Sequence, residues 1–487
     1  MKNRAMKQNS LIILFLMLPV LAYSSSPSGD EEQSKDTLYL DFKTSVELMN
    51  NRNKMIESAR LSQKKATLEK KATAGMYFPS IGASATYSIM SDPLELDLTP
   101  VRDAITPLYE TLSQYGSFEP AEASDAIKAG LTAGLTQIQN AEWVKEIQKD
   151  QFGMADININ WPLYAGGRIR LANKAAKISM EEADYQFEHT WSQQHVELVQ
   201  RYYGLQLTRQ VADLRKEVMD GMAQHLNDAN KMKENGMMAE AERLHAEVAF
   251  AEAEREYKKA LKDVELMETA LRNTLATDKP LIPVSELFII PTIKDRQYYI
   301  DQALANNPQL KLINAKKNLA DLGIKKERAA FLPNIALMGS KEIYEHDLSE
   351  YIPDWFIGVG LQINLFDGMT KIRKVSAAKV QKQQVVTLEE KARQDITTLV
   401  TKVYQELQKA LEEYQSTETS LKFAEEYYRV RNKAFREGFA SSTEVVDARL
   451  NLFKVQTEQL KAMYNFDLAW ASLLAITGSN EQFLAVE

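Results

Sequence analysis

Three stretches of the chain alternate between apolar and polar or small residues, which is the period of a strand with two different faces. In residues 80–90, Ile81, Ala83, Ala85, Tyr87 and Ile89 share one side, against Ser80, Gly82, Ser84, Thr86 and Ser88. Ile157, Ile159, Trp161 and Leu163 oppose Asp156, Asn158 and Asn160 in the same manner, and Ile357, Val359, Leu361, Ile363 and Leu365 oppose Gly358, Gly360, Gln362 and Asn364. A fourth, weaker segment begins at Asn334. Elsewhere the period is three to four: Val196, Val199, Tyr203, Val211, Leu214, Val218 and Met222 form an apolar stripe with charges between them, the signature of coiled-coil packing. The proline-free runs 168–233 and 370–437 predict helices on the order of 100 Å at 1.5 Å per residue.

The pattern occurs twice. Pro162-Leu163-Tyr164-Ala165-Gly166-Gly167 answers Asn364-Leu365-Phe366-Asp367-Gly368-Met369 at an offset of 202, which also superposes Gly236 on Gly438, Glu242 on Glu444 and Ala246 on Ala448. Phe78-Pro79 answers Leu332-Pro333 at 254, and residues 51–59 answer 307–315 at about 256. Chance similarity between helices does not hold one offset across glycines 70 residues apart. Each copy reads helix (40–76, then 297–331), two strands, a glycine turn, a long helix, a glycine and a return helix. The expected division is a signal peptide at 1–24, a first repeat at 25–276, a linker at 277–296, a second repeat at 297–478 and a C-terminal tail at 479–487. Strands are expected near 79–90, 153–164, 334–342 and 356–366, with tips at 234–239 and 436–442. The first hairpin carries about 52 extra residues, 92–151, with amphipathic helical stretches at 101–115 and 121–148.

The N-terminus reads as secretory, with Lys2, Arg4 and Lys7 ahead of an apolar run at 11–21 that is about half the roughly 20 residues a spanning helix needs. Without those three cations, 56 bases face 67 acids, and the net charge of about −11 argues against nucleic acid. The absence of cysteine excludes disulfides, thiolate metal sites and an acylated anchor. The five histidines show no metal-ligand spacing and read as surface or helix-packing residues, and Gly166-Gly167 lacks a dinucleotide pattern, so neither an enzyme nor a cofactor is expected. A soluble sandwich would show the same alternation, but strand lengths near ten and aromatics at the strand ends (Tyr77, Phe78, Trp161, Tyr164, Trp355, Phe356, Phe366) favour a barrel in lipid. Four strands cannot close one, and an open edge in lipid leaves backbone groups unsatisfied, so several chains must share it.

From residue 38 to 478 the chain resembles the TolC-like outer membrane efflux protein family. The resemblance rests on Met49-Asn50-Asn51 and Ala303-Leu304-Ala305-Asn306-Asn307-Pro308, and on the Phe78-Pro79 and Leu332-Pro333 helix exits. It rests further on Trp161 to Arg168 with its echo Leu365-Phe366-Asp367-Gly368, and most specifically on the tip at residues 437–448. It implies a mainly α fold with a small transmembrane β part: a homotrimer whose strands form a twelve-stranded barrel above a periplasmic α-helical barrel. Such a duct in the outer membrane of a Gram-negative bacterium works passively with a periplasmic adaptor and an inner-membrane transporter. Type I protein secretion is the alternative to small-molecule efflux. A periplasmic coiled-coil scaffold, which would need a soluble lobe, and a porin-like pore, which would have many more strands, are the other classes. By position, Glu444 and Asp447 match acidic residues of the periplasmic mouth, where a spacing of three puts both carboxylates on one helix face. The adaptor is expected at Gly236, Met237, Met238, Gly438, Phe439, Ala440 and Ser441. A tyrosine and an arginine that hold the mouth shut in the family are replaced here by Phe435 and Ala440.

Overall fold

The structure is a computed structural model and describes residues 37–117, 119–290 and 292–485; the expected signal peptide lies outside them. After the short strand β1 (Leu38–Leu40), helices α1 (Phe42–Arg52) and α2 (Lys54–Ala74) run into β2 (Ser80–Ile89). A lobe of β3 (Leu94–Asp97), α3 (Thr99–Tyr115), α4 (Ser124–Asn140) and β4 (Val144–Gln148) precedes β5 (Gln151–Ala165). The long helix α5 (Arg168–Glu234) and return helix α6 (Glu240–Leu275) follow, then β6 (Leu281–Pro283). The second half repeats the order: α7 (Arg296–Asn306), α8 (Pro308–Ala329), β7 (Asn334–His346), β8 (Trp355–Gln362), α9 (Thr370–Arg436) and α10 (Ser442–Thr477), closed by α11 (Glu481–Leu484). The two long helices have 67 residues each and the two return helices 36 each.

Two corrections concern the helices that enter the strands. The segments expected as single helices at 40–76 and 297–331 are each broken by an asparagine. The Oδ1 of Asn53 accepts from the N–H groups of Met55 and Ile56, at 2.9 and 3.2 Å, and that of Asn307 from Gln309 and Leu310, at 2.9 and 3.3 Å. A helix start leaves donors unpaired, and an Asn side chain takes them while its own backbone turns extended. Each amide nitrogen then donates to a carbonyl at the end of a return helix, Asn53 to Thr274 and Asn307 to Ile476. These asparagines therefore weld the entry helices to the long hairpins, and at the second the proline at the first helical position fixes the start.

β2, β5, β7 and β8 form one antiparallel sheet in that order. Its register aligns the apolar positions: Ile81 faces Ile159, Trp161 faces Leu337, and Leu337 faces Val359. Ile81, Ile357, Val359 and Leu361 are all about two-thirds exposed on the protomer. On the opposite face Ser84, Asp156 and Glu342 lie in one row, and the Asp156 carboxylate accepts from Ser84 Oγ at 2.8 Å and Ser340 Oγ at 3.1 Å. The strand expected to be weakest, β7, runs 13 residues and pairs on both sides. Neither β2 nor β8 has a neighbour on its outer edge among the described residues. In the lobe, the expected helix at 121–148 gives way at its end to β4, which pairs with β3.

The segment expected as a linker is built into the main core. β6 pairs in parallel with β1, Leu281 and Leu287 are buried, and the Tyr202 hydroxyl donates to the Leu40 carbonyl while accepting from the N–H groups of Val284 and Ser285. Around it Phe42, Tyr203, Phe466 and Phe483 are wholly buried. The stripe on α5 continues this core toward the tip through Val218 and Met222. Among the described residues no helix is long and apolar enough to cross a membrane.

Candidate functional site

Both long helices end the same way. Gly236 and Gly438 adopt φ of 71° and 79°, a left-handed backbone that glycine enters without steric cost. Gly236 and Met237 donate back to the carbonyls of Lys233 and Met232, and Gly438 and Phe439 to those of Phe435 and Ala434, which is the Schellman closure of a helix. The tip segments expected to meet a partner are thereby presented at the ends of two helical hairpins, α5–α6 and α9–α10. Met237 and Phe439 are 70% and 83% exposed, while Met238 and Ala440 turn inward onto a small apolar cluster.

That cluster is Ala229, Ala246, Phe435 and Val445, and it joins the two hairpins. Phe435 is buried there against the His225 ring, with centroids 4.4 Å apart. Having no hydroxyl, it packs as an apolar residue. Polar links surround it. Arg436 on α9 reaches Asp228 on α5 at 3.5 Å, and Arg449 on α10 reaches Glu217 on α5 at 3.8 Å.

The two acidic residues expected at the mouth have different surroundings. Glu444 completes a capping box, accepting from the Ser441 N–H at 2.9 Å while Ser441 Oγ accepts from the Glu444 N–H. It also pairs with Arg431 at 2.9 Å, and its hydrogen bond from the Ser441 backbone, followed by the Arg431 charge, holds its carboxyl below the usual range. Asp447 is exposed one turn further along. The structure thus presents Asp447 as the open carboxylate and Glu444 as an engaged one.

The sequence reading missed a convergence at this end. His225 is buried on α5, and its Nε2 lies 2.7 Å from Ser442 Oγ at the start of α10. His245 on α6 places Nδ1 3.4 Å from the same oxygen, and Glu242 accepts the Ser442 N–H at 3.2 Å. His225 lies 11 residues before Gly236 and His245 nine after it, so folding the hairpin at the glycine sets them side by side; that count was legible. Among the described residues no group of three or more His, Asp or Glu side chains could hold a metal ion.

Residues 299–479 match the family described as outer membrane efflux protein. The chain is 24% identical over 206 residues to the alkaline protease secretion protein AprF of Pseudomonas aeruginosa, a match covering 41% of this chain and 42% of that protein. The chain therefore aligns with less than half the length of this curated relative. Solved structures share the fold across nearly the whole chain. One reports conformational changes accompanying folding and transmembrane channel formation by CusC, with a TM-score of 0.68 at 16% identity, covering 91% of this chain and 93% of that one. Another is the CmeC outer membrane channel of Campylobacter jejuni, with a TM-score of 0.66 at 15% identity, covering 95% and 94%. Residues 299–479 thus carry the sequence pattern of the outer membrane efflux protein family, and over 91% of its length the chain shares the fold of a solved channel structure.

Proposed function

We propose that the chain is one protomer of a homotrimeric outer-membrane exit duct, passively conducting substrates that an inner-membrane transporter and a periplasmic adaptor hand over. One observation carries this reading: a four-stranded antiparallel sheet with an exposed apolar face, a polar opposite face and two open edges. In hydrocarbon every backbone group must be paired internally, so such a sheet is compatible with lipid only when its β2 edge meets the β8 edge of another copy. Three copies give twelve strands, and their paired long hairpins, on the order of 100 Å long, give a helical tunnel into the periplasm. The adaptor-facing surface is the ring of tips, Gly236, Met237, Met238 and Gly438 to Ser441. Asp447, with Glu444 behind it, is the acidic constriction.

The cargo has two supported readings. CmeC is an outer membrane channel, whereas AprF is an alkaline protease secretion protein, and the match to AprF supports type I secretion as the second reading. The chain supplies a conduit in either case. Purification in detergent followed by bilayer recording tests the proposal: a trimer with stable unitary conductance is expected. A mature chain that stays monomeric without detergent and never inserts would overturn it.

A further inference from the structure

The start of α10 is an unusual helix terminus, because its second donor is satisfied by the other hairpin. Ser441 and Glu444 cap each other, but the Ser442 N–H is accepted by Glu242 of α6, and the Ser442 hydroxyl sits between two imidazoles, His225 of α5 and His245 of α6. Ser442 itself is wholly buried. At this level the hairpins also meet through the Arg436–Asp228 pair and through the apolar cluster of Ala229, Ala246, Phe435 and Val445, against which Leu226, Met232 and Tyr428 pack. The polar node adds to that apolar contact a set of directed bonds whose pattern depends on protonation.

We propose that His225, Ser442 and His245 form a proton-released latch: while the buried His225 imidazole is neutral the node holds the two hairpins together at the inner end of the duct, and protonation of His225 frees them. This rests on the duct reading given above.

The chemistry follows from the inventory of donors. A serine hydroxyl has one proton and two lone pairs, and a neutral imidazole has one donor and one acceptor nitrogen, so Ser442 can donate to one ring and accept from the other. Once protonated, His225 is a donor at both ring nitrogens and can no longer accept from the Ser442 hydroxyl 2.7 Å away, and its charge is buried. His225 Nδ1 has no hydrogen-bond partner, so the cation would also carry an unpaired buried N–H.

The charges facing His225 come from each packed helix. On its own helix α5, Asp228 favours the cation but is paired with Arg436 of α9. On α6, Glu242 favours it and His245 opposes it. On α10, Glu444 is occupied by Arg431 of α9. Burial outweighs the two carboxylates and pushes the His225 pKa below its ordinary 6.5, so the joined state is the neutral one and acid releases it.

The test uses the full-length trimer in planar bilayers, with His225→Gln as the variant that keeps an N–H donor and cannot take up a proton. The wild-type mean current is expected to rise at least fivefold between pH 7.5 and pH 5.0, and the variant to stay flat and low. A second readout is independent of conduction. Because the chain has no cysteine, labels can be placed uniquely by Met237→Cys and Phe439→Cys, and the distance between them should lengthen at pH 5.0 in the wild-type background and not with His225→Gln. Equal pH profiles in both proteins, with normal channels, would overturn the latch alone. Absence of any channel together with an acid-lengthened tip distance would overturn the duct and keep the latch.

Discussion

The acid stability of the core turns on one residue. His195 on α5 is fully buried, stacked on Trp191 with centroids 5.1 Å apart and edge-on to Phe42 and Phe483 at 5.7 Å each. Neither ring nitrogen has a hydrogen-bond partner. Burial in this aromatic shell pushes its pKa from 6.5 down to about 4. A group whose folded pKa is depressed binds fewer protons folded than unfolded, so its contribution is fully present above pH 6.5 and is lost as pH falls toward 4. A gap of about 2.5 units at 1.36 kcal/mol each gives a total loss of about 3 kcal/mol, of which roughly 2 kcal/mol is already lost at pH 5. His195→Phe keeps an aromatic ring and removes the titration. Denaturant unfolding in detergent should show the variant gaining about 2 kcal/mol on the wild type between pH 7.5 and pH 5, with other titrating groups cancelling in the difference. A stability difference that is constant across this range would refute the argument, because it would mean that His195 takes up its proton in the folded protein as easily as in the unfolded one.

Three further outcomes are expected. Gly166 has φ of 61° and an added Cβ would lie 2.7 Å from the Ala329 carbonyl oxygen, whereas Gly167 at 78° faces open space. Both alanine variants meet a left-handed backbone costing about 1 kcal/mol, but Gly166→Ala should lower stability by about 3 kcal/mol in the same unfolding assay. Because Glu444 is held by Arg431 and the capping box, Asp447→Asn should reduce cation preference in reversal-potential measurements more than Glu444→Gln does. Glu444→Gln should instead cost about 1 kcal/mol through the helix cap. Residues 92–151 hold 11 acidic against four basic side chains, so deleting this lobe should raise conductance and weaken cation preference in bilayers; unchanged conductance would make it a surface ornament.

The sequence by itself determined what depends on local period and local stereochemistry. Alternation at 80–90 and 357–365 needs only neighbouring residues to define two faces, and the apolar stripe on α5 needs only the 3.6-residue turn, so both were readable without partners. The turns at Gly236 and Gly438 were readable for the same reason, since a left-handed backbone selects glycine wherever it occurs. That four strands are too few to close a barrel was likewise a matter of counting.

Tertiary structure decided what depends on residues far apart in the chain. Asn53 and Asn307 break the entry helices because each finds a return-helix carbonyl some 170 to 220 residues away. The segment 277–296 reads as a spacer from its prolines, yet Tyr202 recruits it into the core through two hydrogen bonds, from Val284 and Ser285. That Phe435 is apolar was plain in the sequence, but only the fold shows it buried against the His225 ring. Only the packing of three helices brought His225, Glu242, His245 and Ser442 to one point, because a side chain's donors and acceptors acquire meaning only when their partners are in place.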